Sequence, residues 1–189
     1  MHHYRMQFMQ QAMIDELTGI PNRRCYEEER HAKWRMATRL KLPFSICMFD
    51  IDHFKLYNDT YGHPAGDKVI STLAKTVSFH LRRSTDFFAR YGGEEFIALL
   101  IGNNAASCFE FLKKIRQSVE ELHIPHNSPV SQWVTVIAGG VTLVPKNEDI
   151  YDDYLKLADS MLYEAKRLGR NRVLWCDEKK EWLQEKAGE

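Results

Sequence analysis

The chain has 189 residues, of which 44% are hydrophobic and 28% are charged. That length fits one domain with a sizeable core, and the composition excludes a disordered or fibrous protein. Lysine plus arginine and aspartate plus glutamate both number 26, so the formal net charge is zero, which argues against a protein that coats DNA or an anionic membrane. The four cysteines form no CxxC pair, which argues against a zinc ribbon or a disulfide framework and favours the reducing cytoplasm.

The N-terminal segment is predicted to be helical. Residues 1–14 place methionines at helical spacing, and the pattern ends at the turn sequence 15–21. Because such a helix has little to pack against within its own length, we interpret it as the stub of a signalling or dimerisation helix that reaches an upstream sensory domain or a second protomer. The longest mostly apolar stretch, residues 134–144, is too short to span a bilayer, so we expect no membrane insertion by this chain.

Helical and strand patterns then alternate along the chain. Asn22 can cap an amphipathic helix that runs to about residue 40, and the apolar run 44–49 predicts a buried strand. Two strand-like runs flank Gly92 and Gly93, a pair typical of a tight hairpin whose central residues need φ > 0. The remaining predicted helices lie at about residues 53–61, 66–83, 105–121 and 150–168, and the remaining strands lie within 133–144 and at 172–176.

This alternation predicts an α/β (α+β) fold in which a central mixed five-stranded sheet is flanked by helices. The charged tail, residues 177–189, is predicted to be an exposed helix or a frayed end.

Four acidic residues occur at the edges of these predicted strands. Asp50 and Asp52 follow the buried strand, and Glu94 and Glu95 follow the glycine pair. If the strand and the hairpin are neighbours in the sheet, Asp50 and Glu94 can share divalent cations such as Mg²⁺, which takes oxygen ligands and keeps substrate phosphates in its shell. Taken alone, each of these acidic residues is more typical of a solvated turn. Only the four acidic residues together favour metal-dependent phosphate chemistry.

Basic groups for phosphate binding occur in two places. The backbone N–H groups of the helix start around His53 and Phe54, together with Lys55, can hold a triphosphate. Lys166 and Arg170 are four residues apart near the end of a predicted helix. Each of these two is by itself more typical of favourable charge at a helix C-terminus, and only a shared site makes them phosphate ligands.

Residues 91–96 (Tyr-Gly-Gly-Glu-Glu-Phe) and 49–55 (Phe-Asp-Ile-Asp-His-Phe-Lys) resemble the signature of the GGDEF family of diguanylate cyclases. The resemblance continues through residues 15–23, 58–67 and 158–171, so it covers about residues 15–176. It implies a fold similar to nucleotidyl cyclase and polymerase palm domains, with the Gly-Gly hairpin at the active site. It also implies condensation of two GTP into cyclic di-GMP with release of two pyrophosphates, in a homodimer whose two domains face each other.

The resemblance also implies roles for individual residues. Asp50, the backbone carbonyl of Ile51, and Glu94 would bind two Mg²⁺ or Mn²⁺ ions, and Glu94 and Glu95 would serve catalysis. Which glutamate assists deprotonation of the attacking 3′-hydroxyl stays open, because a carboxylate that holds metal is a poor base. Substrate binding would fall to the following residues: Phe54, Lys55, Lys166 and Arg170 at the phosphates, Asn58 and Asp67 at the base, and His63 lining the nucleotide pocket.

The pair Asn58 and Asp67 suits guanine. A carboxylate accepts from both guanine N1–H and the 2-amino group, a donor pair that adenine lacks, so GTP is expected to be preferred over ATP. Both residues also suit ordinary capping at helix boundaries, and a histidine before proline, such as His63, is as typical of a turn.

Arg83 and Asp86 resemble the RxxD product-inhibition site of the family. Arginine can fork onto guanine O6 and N7 while aspartate accepts from the Watson–Crick edge, so we expect feedback inhibition by cyclic di-GMP. An isolated RxxD is also typical of a surface ion pair at a helix end.

One segment departs from the family pattern. Residues 136–141 lose the usual serine and gain a glycine, which predicts a loosened strand or a bulge.

Two other classes of function stay open as alternatives. One is a catalytically silent receptor that binds GTP or cyclic di-GMP, and the other is an interaction module that dimerises through the N-terminal helix.

Overall fold

The most continuous apolar run of the sequence forms the central strand of the fold. This strand, Phe44–Ile51, is buried along its whole length because it has neighbours on both edges and helices on both faces. The computed structural model describes residues 12–185. Its elements in chain order are α1 (Arg23–Leu40), β1 (Phe44–Ile51), α2 (Phe54–Tyr61), α3 (His63–His80), β2 (Phe87–Gly92), β3 (Glu95–Ile101), α4 (Ala105–Glu120), β4 (Val136–Leu143), α5 (Tyr151–Arg167), β5 (Val173–Cys176) and β6 (Trp182–Gln184).

The strands form one mixed sheet in the order β2-β3-β1-β4-β5-β6. Only the β4–β5 pair is parallel. Successive residues of β1 point to opposite faces: Cys47 and Phe49 join the core under α2, α3 and α4, whereas Ile46 and Met48 join the core under α1 and α5. The predicted mixed sheet between helical layers is therefore confirmed.

The sheet has six strands rather than the predicted five. The tail, predicted as a helix or a frayed end, contributes β6, which pairs antiparallel with β5. The Asp177 side chain organises the connecting turn by accepting from the backbone N–H groups of Lys179 and Glu181 at 2.9 and 2.8 Å. Glu185 fixes the far end, since its Oε1 accepts from Arg116 Nε and from the Val173 backbone N–H, each at 3.1 Å.

The predicted loosening or bulge in the segment 136–141 is also wrong. Strand β4 pairs with β1 residue for residue, from Val136 opposite Ile51 to Leu143 opposite Phe44. The extra glycine permits close packing: a Cβ on Gly139 would lie 2.1 Å from the Leu162 backbone nitrogen. The two glycines at 139 and 140 therefore let α5 and the Trp175 ring lie directly against the strand.

The predicted helix over residues 1–14 lies almost entirely outside the described residues. From residue 12 onward the chain forms a turn in which Ile14 bridges to Pro21. Within residues 12–185, no helix has the combination of length and apolar character needed to cross a bilayer.

Candidate active site

The carboxyl end of β1 and the tip of the β2–β3 hairpin meet at one edge of the sheet. The antiparallel register of β1 and β3 sets Asp50 opposite Glu95, so acids from distant parts of the sequence become neighbours. A surface cavity of about 430 Å³ opens at this edge. Its lining residues are Asp50, Ile51, Asp52, His53, Phe54, Lys55, Leu56, Asp59, Glu94, Lys166 and Arg170. All of the residues predicted to bind metal or phosphate therefore line one cavity.

Asp50 is the more buried of the two carboxylates predicted to bind metal, at 8% exposure. Its Oδ2 accepts from the Lys166 ammonium at 2.6 Å, which ties the end of α5 to the end of β1. Its Oδ1 is buried and has no hydrogen-bond partner among the described residues. A buried carboxylate oxygen without a donor is costly, so this atom is available to a cation or a donor that enters the cavity.

Asp52 lines the cavity but was not predicted as a site residue. Its Oδ2 accepts from Thr135 Oγ1 at 2.8 Å and from the Asn171 backbone N–H at 2.9 Å. Burial raises the pKa of Asp52 to about 6, although these hydrogen bonds and the charge of Arg170 oppose that rise. Asp52 thus anchors the turn that carries Arg170, where the backbone has a positive φ of 64°.

The hairpin tip carries the predicted catalytic glutamates. Gly93 has φ of 52°, a conformation that favours glycine, whereas its neighbour Gly92 does not have the positive φ that was expected for both. Glu94 reaches the cavity from this turn, and Glu95 begins β3 beside Asp50. Burial and the adjacent Asp50 charge raise the pKa of Glu95, which eases its protonation relative to a solvated glutamate.

Arg90 braces this tip from within the hairpin. Its Nε donates to the Gly93 carbonyl at 2.9 Å, and its Nη1 donates to both carboxylate oxygens of Asp15 at 3.1 and 3.3 Å. The backbone N–H of Arg90 also donates to the Pro21 carbonyl at 2.9 Å. The turn over residues 12–22 is therefore bonded to the hairpin that holds the glutamates.

The start of α2 forms another wall of the cavity. His53 occupies the cap position with φ of 50° and ψ of 40°, and no side chain caps the helix. The backbone N–H groups of the first turn, at Phe54 and Lys55, therefore have no side-chain acceptor of this kind and suit an anion. His126 lies 3.3 Å from the His53 carbonyl through its Nε2, and its ring meets that of Tyr57 edge to face.

The residues predicted to recognise the base lie along α2 and α3, outside the cavity lining. The Asn58 carboxamide oxygen is buried and has no partner among the described residues. The nearby helix α3 approaches it closely at Gly66, where a Cβ would lie 1.8 Å from that oxygen. His63 and Asp67, on the first turns of α3, are exposed. Asn58 thus has unused hydrogen-bonding capacity in a position that glycine keeps open.

Arg83 and Asp86 lie away from the cavity, at the opposite end of β3. The Arg83 guanidinium donates to the Asn103 side chain at 3.0 Å and to the Ile101 carbonyl at 3.2 Å. The Asp86 Oδ2 accepts from the Arg83 backbone N–H at 3.1 Å, and its buried Oδ1 has no described partner. Burial raises the pKa of Asp86. The two residues form a turn rather than the surface ion pair that an isolated RxxD would suggest.

Sequence reasoning missed several lining residues. Leu56 and Asp59 follow Lys55 on the short helix α2, and the i, i+4 spacing of Lys55 and Asp59 is the signal that could have identified the acid. His53 was predicted at the helix start, but its left-handed backbone was not, because no residue pattern in the sequence specifies that conformation.

Comparison with known proteins places this geometry in a family. The family description "Diguanylate cyclase, GGDEF domain" matches residues 12–172. Probable diguanylate cyclase DgcC of Escherichia coli K12 is 34% identical over 172 residues, which are 91% of this chain and 45% of DgcC. Diguanylate cyclase DgcZ of the same strain is 39% identical over 165 residues, which are 87% of this chain and 54% of DgcZ. The chain thus spans about half the length of these curated relatives.

Solved structures show the same fold. The coiled coil and GGDEF domain of DgcB from Caulobacter crescentus, in complex with c-di-GMP, matches with a TM-score of 0.83 and 30% identity over 93% of this chain and 91% of that one. The active GGEEF domain of a Vibrio cholerae diguanylate cyclase matches with a TM-score of 0.72 and 34% identity over 82% of this chain and 96% of that one. Since sequence, fold and the hairpin at the sheet edge agree, the chain belongs to the GGDEF-domain family of diguanylate cyclases.

Proposed function

We propose that this chain is a diguanylate cyclase that condenses two GTP into cyclic di-GMP. Each of two phosphodiester bonds forms when a 3′-hydroxyl oxygen attacks an α-phosphorus, and each attack releases one pyrophosphate. The observation that carries the proposal is the shared cavity: Asp50 and Glu94 face it together with the cations Lys166 and Arg170. That combination suits a triphosphate, whose charge needs both basic side chains and metal ions.

The reaction is proposed to depend on two Mg²⁺ or Mn²⁺ ions. Residues 12–185 contain no cluster of three or more His, Cys, Asp or Glu side chains that could hold a metal alone. Two carboxylates and the Ile51 carbonyl nevertheless fit a Mg²⁺ site of the kind completed by waters and substrate phosphates, and Asp50 Oδ1 is an unpartnered oxygen donor. Bound ions would neutralise the triphosphate and stabilise charge developing at the α-phosphorus.

Within the nucleotide site, different residues are proposed to bind different parts of GTP. Lys166, Arg170, Lys55 and the backbone N–H groups at the start of α2 hold the β- and γ-phosphates. Glu94 binds metal and Glu95, whose pKa is raised by burial and by Asp50, lies beside the hydroxyl that loses its proton. These groups orient the triphosphate so that pyrophosphate leaves opposite the incoming oxygen.

The base end is proposed to select guanine over adenine. Asn58 and Asp67 bind its Watson–Crick edge, and His63 lines the same end of the pocket. Support comes from the unpartnered, buried Asn58 oxygen, which needs a donor.

Two further properties complete the proposal. Each domain holds one GTP, so catalysis requires a homodimer in which two sites face each other. Cyclic di-GMP also binds at Arg83 and Asp86 and inhibits the enzyme. A donor on the bound cyclic di-GMP would then be the hydrogen-bond partner of the buried Asp86 Oδ1. The site lies in the turn before β2, away from the cavity, so the product acts there without competing for the GTP cavity.

The test is to incubate the purified chain with GTP and Mg²⁺ and to identify the product by mass spectrometry. We expect cyclic di-GMP and two equivalents of pyrophosphate. Glu94→Ala should reduce the rate by about 10²-fold or more, whereas Glu94→Asp, which keeps the carboxylate, should retain activity. GTP binding without any product would instead favour the receptor function, and appreciable turnover by Glu94→Ala would contradict the role of that residue.

A further inference from the structure

Helix α5 carries a stripe of side chains that borders the candidate active site. Asp159, Tyr163 and Lys166 are spaced four and three residues apart, so they lie on one face of the helix. The Lys166 end of this stripe contacts Asp50 at 2.6 Å. The stripe therefore starts at the reactive edge of the sheet and continues along α5 away from it.

Tyr163 stands in the middle of this stripe and projects into solvent. It is 66% exposed, the largest exposed fraction among the large apolar and aromatic side chains of residues 12–185. It makes no hydrogen bond or ring contact with another described residue. A tyrosine beside a catalytic edge that has no hydrogen-bond or ring partner among the described residues is a candidate for a contact with a second molecule, because tyrosine offers a large apolar area and a polar tip at little entropic cost.

The charges around Tyr163 suit a second copy of the same chain. Lys156 lies one turn before Asp159 on the same face, and neither residue forms an ion pair with another described residue. A two-fold axis sets identical patches against each other, so a patch that contains both an exposed cation and an exposed anion around an aromatic ring can match itself. A purely acidic or purely basic patch would repel its own copy.

We propose that Tyr163 and Asp159 of this stripe, together with Lys156 on the same face, form a contact through which a second copy of this chain docks face to face across the active site, with Tyr163 as the aromatic anchor. The inference rests on the proposed function, since a reaction that joins two GTP needs the second nucleotide from a second cavity. Docking along this stripe would present the partner's cavity to the edge that carries Asp50, Glu94 and Glu95.

Self-association and turnover test the proposal separately. Sedimentation in the presence of Mg²⁺ and 3′-deoxyGTP, which binds like GTP but lacks the attacking hydroxyl, measures dimer formation without reaction. We expect Tyr163→Ala to raise the dimer dissociation constant at least tenfold and Tyr163→Phe to raise it less than threefold. Binding of 3′-deoxyGTP per protomer should stay within twofold. The protein concentration for half-maximal cyclic di-GMP formation should rise in parallel with the dissociation constant.

The matched control is Phe79→Ala on α3. This ring is 64% exposed, close to the value for Tyr163, but it lies near the end of α3 away from the cavity and packs against Arg82. Phe79→Ala should change neither the dimer dissociation constant nor the protein concentration for half-maximal cyclic di-GMP formation. Unchanged self-association of Tyr163→Ala would overturn the inference, and so would loss of its nucleotide binding, which would make Tyr163 part of its own protomer's site. Absence of product from the unmodified chain would count against the proposed function alone, because association is measured without turnover.

Discussion

At the scale of single residues, His126 ties a distant loop to the wall of the cavity and makes stability depend on pH. Its side chain is buried, and that burial lowers its pKa below the ordinary 6.5, although the contact with the His53 carbonyl opposes the shift. The unfolded chain therefore binds more protons than the folded chain between the lowered pKa and about 6.5. The contribution of His126 to the free energy of unfolding should consequently rise with pH through this window and level off above it, whereas Asp52, whose pKa is raised to about 6, contributes in the opposite direction below that pH.

Urea unfolding at several pH values between 5 and 7.5 checks this prediction. His126→Phe keeps an aromatic ring beside Tyr57 but cannot titrate, so the slope of unfolding free energy against pH should be less positive in the variant than in the unmodified chain. Part of the slope should persist, because the pKa of His53 is also lowered by burial and by the charge of Arg170. An equally steep slope in the variant would show that His126 is not the titrating group.

Sequence alone predicted the cavity-lining residues that local motifs mark, and it missed a residue that is fixed by distant contacts. Asp50, Glu94, Lys166 and Arg170 were predicted because strand ends, a glycine turn and a helix end mark them within short segments. The anchoring role of Asp52 depends on Thr135, which is 83 positions away. No local pattern encodes such a pairing, because the sheet register brings the two residues together only in the folded chain.

At the scale of elements, the approach of α3 to α2 depends on Gly66. A Cβ there would meet the Asn58 oxygen at 1.8 Å and the tip of the Phe54 ring at 3.1 Å. The carboxamide is a movable side chain, so Gly66→Ala should displace it rather than unfold the helix, and alanine favours the helix by about 1 kcal/mol. We expect the KM for GTP to rise about tenfold, the loss of roughly one hydrogen bond, with little change in melting temperature.

The opposite outcome is expected at Gly139. There the nearest atoms to an added Cβ belong to the α5 backbone, including Leu162 Cα at 2.6 Å and the Met161 carbonyl carbon at 2.7 Å. Backbone cannot move aside as a side chain can, so Gly139→Ala should force α5 away from β4 and lower the free energy of unfolding by about 3 kcal/mol. Urea unfolding measures this loss. The same substitution at Gly66 is the matched control, and equal stability of the two variants would contradict the packing argument.

Among the elements, β6 shows where prediction from sequence fails. Its segment is charged and short, and β6 has two of its three residues exposed, so it lacks the apolar alternation that marks a strand. The strand forms because the edge of β5 offers unpaired backbone groups and because Asp177 and Glu185 fix its two ends. The first helix was predicted more closely, since the cap predicted at Asn22 is formed by its own side chain.

At the scale of the whole molecule, β3 separates the proposed inhibitory turn from the active site. Glu95 begins this strand and Ile101 ends it, and the Arg83 guanidinium donates to the Ile101 carbonyl. The strand length places the two sites about 20 Å apart. If cyclic di-GMP binds at Arg83 as proposed, it therefore inhibits from a distance rather than by touching the reacting atoms.

Arg83→Ala is accordingly expected to relieve inhibition by cyclic di-GMP without reducing the initial rate. The half-inhibitory concentration of added cyclic di-GMP should rise at least tenfold, because the variant lacks the two guanidinium N–H donors proposed to bind guanine O6 and N7. Arg82→Ala, which removes the neighbouring exposed arginine, is the control and should leave inhibition unchanged. A variant at Arg83 that is as sensitive as the unmodified chain would place the inhibitory site elsewhere.

The brace between Asp15, Arg90 and Gly93 has a mechanical consequence. Any push or twist transmitted along the chain toward residue 12 enters the domain through the turn that contains Asp15. From that carboxylate, one guanidinium spans the whole distance to the carbonyl just before Glu94. Arg90 thus couples this turn to the hairpin tip, so a displacement of the turn would shift the backbone next to Glu94 without a change in the packing of the core.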